Sequence, residues 1–139
     1  MYDRDQLKEI VDKALVSYSY YSDSDKLFEP VKYALSVGGK RLRPILTLMA
    51  CNMFTDKINE AVAPAAGIEI FHNFTLVHDD IMDNASIRRN FPTVHSKYGA
   101  NQAILSGDVM AFLSNECFLQ LPQEKVIKVL RLFNNTAIE

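Results

Sequence analysis

Apolar residues along this chain recur at helical spacing almost throughout, and strand-like alternation never persists. Leu7, Ile10, Val11, Ala14, Leu15 and Tyr18 follow the i, i+3, i+4, i+7 pattern of an amphipathic helix, with Asp3 or Asp5 available as its N-cap. A second helix is predicted over about 25–37 and stops at Gly38-Gly39, where a backbone without Cβ atoms turns freely. Pro44 suits the first turn of a third, which continues through Leu46, Leu48, Met49 and Met53. A long fourth helix is predicted from about Asn59 to Asp83, followed by a loop over 84–92. A short helical turn over Val94–Tyr98 ends at Gly99, another helix carries Ala103 through Leu121, and Pro122 opens the last. That last segment repeats apolar residues at Val126, Val129, Leu130, Phe133 and Ile138, then stops at Glu139 without a cap. The fold class is therefore all-α: one domain over residues 1–139, with an abrupt end that suggests a truncated chain.

Composition narrows the class of function. Apolar residues make up 48% of 139, enough for a core. A net charge of −2, from 15 basic and 17 acidic residues, supplies no global field toward nucleic acid or an anionic membrane. Any anion must be held by a local cluster. Cys51 and Cys117 form neither a C-x-x-C pair nor a disulfide framework, which fits a reduced, cytoplasmic setting. The acidic N-terminus lacks the order of a signal peptide, and no apolar run is long enough to span a membrane.

The chemistry concentrates at the end of the fourth helix. His72, Leu76, Asp79 and Asp83 are four, three and four positions apart and share one face, with Asp80 beside them. Three carboxylates within a turn repel one another, and a helix C-terminus disfavours negative charge. One bland explanation is a solvated acidic helix end. The upstream segment Ile68, Ile70, Phe71, Phe74, Leu76 and Val77 is apolar, however, so the acids terminate a buried helix. Hard oxygens at i and i+4 suit Mg²⁺, which draws its remaining ligands from water and substrate phosphates. Arg88 and Arg89 follow in the loop, and guanidinium forks match phosphate oxygens bidentately. The competing account is that they only neutralise the aspartates. Together, carboxylates, Mg²⁺ and arginines make a diphosphate site.

A second basic cluster, Gly38-Gly39-Lys40-Arg41-Leu42-Arg43-Pro44, joins two helices. Glycines expose backbone N–H groups, the next helix adds its dipole, and Lys40 and Arg43 add charge. Two anion sites imply two diphosphate substrates. His72 lies about 10 Å along the helix from Asp79 and can donate to the second. A satisfied core histidine is the alternative.

The strings Gly39-Lys40-Arg41-Leu42-Arg43-Pro44, Ile70-Phe71-His72, Leu76-Val77-His78-Asp79-Asp80-Ile81-Met82-Asp83 and Arg88-Arg89, with Thr93-Val94-His95 and Leu105-Ser106-Gly107-Asp108, resemble the trans-isoprenyl diphosphate synthases. That family includes farnesyl, geranylgeranyl and longer polyprenyl diphosphate synthases, and the match runs from about residue 30 onward, in its N-terminal half. The resemblance implies an antiparallel helix bundle, a homodimer, and head-to-tail condensation of isopentenyl diphosphate with an allylic diphosphate. It implies that Gly39, Lys40, Arg43, His72 and Arg89 bind isopentenyl diphosphate and Arg88 the allylic diphosphate. Asp79 and Asp83 would ligate Mg²⁺, with Asp80 supporting them as the third catalytic carboxylate. One departure stands out. The family's second aspartate-rich motif is absent from these 139 residues, so a truncated or non-catalytic diphosphate-binding subunit is the alternative, with little turnover expected alone.

Phe74 and Thr75 lie five and four residues before Asp79, where a growing tail would press. One aromatic beside a smaller residue suggests, by resemblance, a geranylgeranyl-type product over a farnesyl one. Two other classes fit less well. His–Asp metal phosphohydrolases need an upstream histidine on another helix, and the only upstream histidine is His72. Terpene cyclases share the acidic motif but have no use for a second diphosphate cluster at Gly39–Arg43.

Overall fold

A computed structural model describes residues 2–18 and 25–139, with only the backbone of Asp25. It contains seven helices among these residues: α1 (Arg4–Tyr18), α2 (Asp25–Ser36), α3 (Leu42–Asn52), α4 (Asn59–Met82), α5 (Val94–Tyr98), α6 (Ala100–Leu119) and α7 (Gln123–Ile138). Between α4 and α5 lie two short strands, β1 (Ile87–Arg88) and β2 (Phe91–Pro92).

Reciprocal side-chain caps start α1. Gln6 N–H donates to Asp3 Oδ1 at 2.8 Å and Asp3 N–H to Gln6 Oε1 at 3.0 Å, so Asp3, not Asp5, is the cap. Leu7, Val11, Leu15 and Tyr18 then form a buried stripe against α3 and α4.

The long axis of the molecule is α4. Its 24 residues span about 36 Å, and α1, α3 and α6 all pack on it. The closest neighbour is α6. Gly67 lets the Ser114 carbonyl and Phe118 approach, and Gly107 leaves room for the His78 ring. Ser114 Oγ donates to the Gly67 carbonyl at 2.9 Å across this contact. These small residues allow α4 to carry its acidic end past α6 without a gap.

The segment after α4 differs from the plain loop expected. Ile87 pairs with Pro92 and Arg88 with Phe91 in a minimal antiparallel hairpin. Its two central residues, Arg89 and Asn90, have φ of 53° and 67°, the positive values that a type I′ turn requires. No glycine marks the turn; asparagine tolerates the left-handed region, and the arginine is held there by contacts described below. Tyr33 Oη donates to the Pro92 carbonyl at 2.7 Å, which fastens the hairpin to α2, and Thr93 Oγ1 donates to the Ala85 carbonyl at 2.8 Å, which closes the hairpin base.

Helix α6 begins at Ala100, three residues earlier than the apolar pattern suggests, because Gly99 (φ 89°) turns the chain directly from α5 into α6. It ends at Leu119, since Leu121 precedes Pro122 and is biased away from helical geometry. Helix α7 buries no residue fully; Phe133 packs edge-on to Phe71 and tilts over Phe118. On α3, Ile45 and Leu48 face the core, whereas Leu46, Met49 and Met53 are exposed.

Candidate functional site

The α2–α3 connection is built on inverted backbone. Gly38 (φ 79°) and Gly39 (φ 153°) turn the chain after α2, and Arg41 (φ 50°, ψ 34°) adopts the left-handed conformation as the N-cap of α3. That geometry separates the basic residues. Arg41 turns inward and is only 5% exposed, while Lys40 and Arg43 remain at the surface.

Arg43 Nη1 lies 3.2 Å from His72 Nε2 on α4. A guanidinium can only donate, so Nε2 accepts and the proton of the neutral ring sits on Nδ1. Burial, then the charges of Arg43, Arg89 and Arg88 lower the His72 pKa, against an opposing pull from Glu69. Burial and the neighbouring guanidiniums together favour the neutral imidazole.

Arg89 reaches back from the hairpin turn and its Nη1 donates to the Gly38 carbonyl. A Cβ at Gly39 would lie 2.6 Å from Arg89 Nη1 and 2.9 Å from Cζ, so the glycine is required by close packing of a cation. One arginine of the hairpin thus joins the basic segment of the α2–α3 connection. Gly39, Lys40, Arg43, His72 and Arg89 assemble around the start of α3.

The aspartates divide the work. Asp80 is 4% exposed and accepts from Arg88 Nε at 2.9 and 3.0 Å and from Nη2 at 2.8 Å. That hydrogen bonding raises the Arg88 pKa, with further contributions from the charges of Asp80, Asp79 and Asp83. Asp79 and Asp83 are exposed, and among the described residues their carboxylates have no hydrogen bond or ion pair. Of the two arginines only Arg88 is paired with an aspartate, and that aspartate is Asp80.

Among the described residues no group of three or more His, Cys, Asp or Glu side chains is arranged to hold a metal alone. Two unpaired carboxylates at i and i+4 nonetheless fit Mg²⁺, which commonly takes one or two protein oxygens and fills its octahedron with water and phosphate. Cys117 offers no rival chemistry, because burial pushes its thiol pKa up to about 12.

An open cleft of about 500 Å³ runs below the basic cluster, with Arg43 and His72 at its polar side and Phe71, Thr75, Leu132 and Phe133 along its apolar body. Thr75 lines it and donates to the His72 carbonyl at 2.8 Å. Phe74 points elsewhere, stacking edge-on to His78 and tilted against Phe71.

The inward-facing network was not legible from motif spacing. Arg41 Nη1 donates to Glu69 Oε1 at 2.8 Å, Nε to Asp12 Oδ1 at 3.1 Å and Nη2 to the Leu35 carbonyl at 2.7 Å. Asn73 Nδ2 also donates to Glu69 Oε1, at 3.2 Å. One signal was present: an acid at Glu69 inside the apolar run Ile68–Phe71 demands a buried cation.

A helical bundle with an acidic helix end, a facing arginine cluster and an apolar cleft defines the isoprenoid-synthase class of all-α proteins. The polyprenyl synthetase family matches residues 24–139, and the chain belongs to that family. It is 39% identical over its whole length to a short chain isoprenyl diphosphate synthase of Methanocaldococcus jannaschii, covering 42% of that protein. It is 44% identical over 86% of its length to a geranylgeranyl diphosphate synthase of Sulfolobus acidocaldarius, covering 38% of it. Among solved structures, a geranylgeranyl pyrophosphate synthase superposes with a TM-score of 0.95 at 39% identity, over 99% of this chain and 42% of that one. The Geoglobus acetivorans geranylgeranyl pyrophosphate synthetase gives 0.91 at 31% identity, over 96% and 44%. The chain thus spans about two fifths of the length of these relatives. No helix among the described residues is long and apolar enough to cross a membrane.

Proposed function

We propose that this chain furnishes the diphosphate- and metal-binding part of a prenyltransferase. The enzyme joins isopentenyl diphosphate head-to-tail to an allylic diphosphate, giving geranylgeranyl or farnesyl diphosphate. One observation carries the reading: Arg43, His72 and Arg89 converge beside Gly39, while two unpaired carboxylates stand on the same helix as His72. The names of the relatives point the same way.

Asp79 and Asp83 are the residues that would hold Mg²⁺, which when bound would draw charge from a departing diphosphate. Arg88, aimed by Asp80, presents its guanidinium to the allylic diphosphate. The allylic C–O bond breaks with the electron pair leaving on the diphosphate. The isopentenyl double bond then attacks the cation, a new C–C bond forms, and a proton passes to the released diphosphate. Gly39, Lys40, Arg43, His72 and Arg89 hold the second substrate by its diphosphate. Phe71, Leu132 and Phe133 keep water from the cation. Thr75, on the cleft wall, and Phe74, beside it on α4, are the residues proposed to limit product length.

Calorimetric titration of the chain with isopentenyl diphosphate, and with an unreactive allylic thiolodiphosphate with and without Mg²⁺, tests this. Two binding events are expected, only the allylic one depending on Mg²⁺; absence of both would end the proposal. A second reading is a non-catalytic diphosphate-binding partner. Supplying the remaining part of a relative and assaying for prenyl transfer separates the two. Pairing with a second copy of the chain and a cytoplasmic setting, suited to two free cysteines, complete the proposal.

A further inference from the structure

The buried charges of Arg41 and Glu69 are not explained by binding, since neither side chain is open to solvent; Asp12 is the exposed end of their network. Arg41 is 5% exposed and Glu69 2%. Taking both charges out of water has a desolvation cost that mutual attraction roughly offsets, so such a pair is weak evidence of stabilisation. Arg41 also sits in the left-handed region that non-glycine residues avoid. A buried charge and a strained backbone at one residue need a reason.

The connections supply it. The Arg41 fork ties three elements to the start of α3: the end of α2 through the Leu35 carbonyl, α1 through Asp12, and α4 through Glu69. Two residues after Arg41 comes Arg43; three after Glu69 comes His72; and Arg43 meets His72 at 3.2 Å. The inner pair and the outer pair thus bridge the same two helices in parallel. With Arg41 held inward by its left-handed backbone, its neighbours Lys40 and Arg43 are left at the surface.

We infer that Arg41 and Glu69 form a positioning pair that sets the register of the basic loop against α4, and that they control affinity for the isopentenyl diphosphate without touching it. Asn73, which donates to the same Glu69 oxygen, keeps that carboxylate aimed. This inference rests on the proposed function. It adds that one of the two diphosphate subsites is tuned from inside the core. The other is anchored through Asp80, whose buried carboxylate holds Arg88.

The test is selective affinity in the full chain. The double variant Arg41→Met/Glu69→Leu replaces the pair with apolar side chains of similar size, which folded proteins commonly tolerate. Arg41→Lys keeps the charge and removes the fork. Both are titrated with isopentenyl diphosphate and with the allylic thiolodiphosphate plus Mg²⁺, and circular dichroism follows the melting of each. Affinity for isopentenyl diphosphate is expected to fall by about tenfold or more in either variant, the scale of losing one charge-assisted contact. Affinity for the allylic analogue should stay within about twofold. Where turnover is measured in the complete enzyme, KM for isopentenyl diphosphate rises while kcat at saturation holds. Equal losses at both subsites, or no loss in a folded Arg41→Lys chain, would overturn the inference. A wild-type chain that binds no isopentenyl diphosphate removes the underlying reading as well. Normal wild-type binding with unchanged variants removes the positioning pair alone.

Discussion

Asp79 and Asp83 have identical chemistry to Asp80 and an opposite situation: exposed and unpaired, where Asp80 is buried and held by Arg88. Mutual repulsion and the helix C-terminus both act against the exposed pair. Asp79→Asn and Asp83→Asn are therefore expected to leave the melting temperature unchanged or to raise stability by up to about 0.5 kcal/mol. Mg²⁺-dependent binding of an allylic analogue should fall at least about tenfold in each. Calorimetry beside thermal denaturation separates the two effects. His72 carries a pH signature. Its folded pKa is lowered by burial and by Arg43, so below its ordinary value the unfolded chain binds the proton more readily than the folded one. The stability it contributes is complete above the ordinary histidine pKa and is lost as pH falls toward the folded value. Melting followed from pH about 7.5 to about 5.5 should decline, and decline less steeply in His72→Gln.

At the scale of elements, helix extents were largely legible in the spacing of apolar residues, and α4 was read almost to its last residue. The hairpin was not. Its turn uses Arg89 and Asn90 at positive φ, and the arginine is stabilised there by the Gly38 carbonyl, a contact 51 residues away that no local pattern encodes. The inward turn of Arg41 escaped for the same reason. Lys40, Arg41 and Arg43 are equally basic in sequence, and only Glu69 on another helix distinguishes the middle one. Helix contact makes a sharp prediction. A Cβ at Gly67 would stand 2.9 Å from the Ser114 carbonyl and 3.0 Å from Cys117 Cβ, atoms of α6 that cannot swing aside. Gly67→Ala should destabilise by about 1–3 kcal/mol in denaturant titration. Gly39→Ala meets the Arg89 side chain and also strains a backbone at φ 153°, so it should weaken diphosphate binding and lower stability together.

At the scale of the whole molecule, the face of α3 carrying Leu46, Met49 and Met53 is exposed, as are Ile127 and Leu132 of α7, and Phe54 after α3 is 89% exposed. With one aspartate-rich motif and about two fifths of its relatives' length, the chain alone is expected to bind substrates and to show little prenyl transfer. Radiolabelled isopentenyl diphosphate incorporated at a normal rate by the purified chain would contradict this. The exposed α3 residues show where a pattern of spacing reaches its limit. Leu46, Leu48 and Met49 are alike in hydropathy, yet α1 and α4 cover only Leu48.

From the amino-acid sequence alone came the helical class, the order of the helices, the two basic segments and the acidic helix end, and the kind of chemistry they suit. These properties depend on periodicity and on side-chain type, which are local. Only the tertiary structure decided that Arg89 joins Gly39 and the α2–α3 connection, that Arg88 belongs to Asp80 and Arg41 to Glu69, and that Thr75 faces the cleft while Phe74 does not. Each of those outcomes is a choice among chemically equivalent partners. Distance across the packed helices makes that choice, and distance is not written in the spacing of residues along a chain.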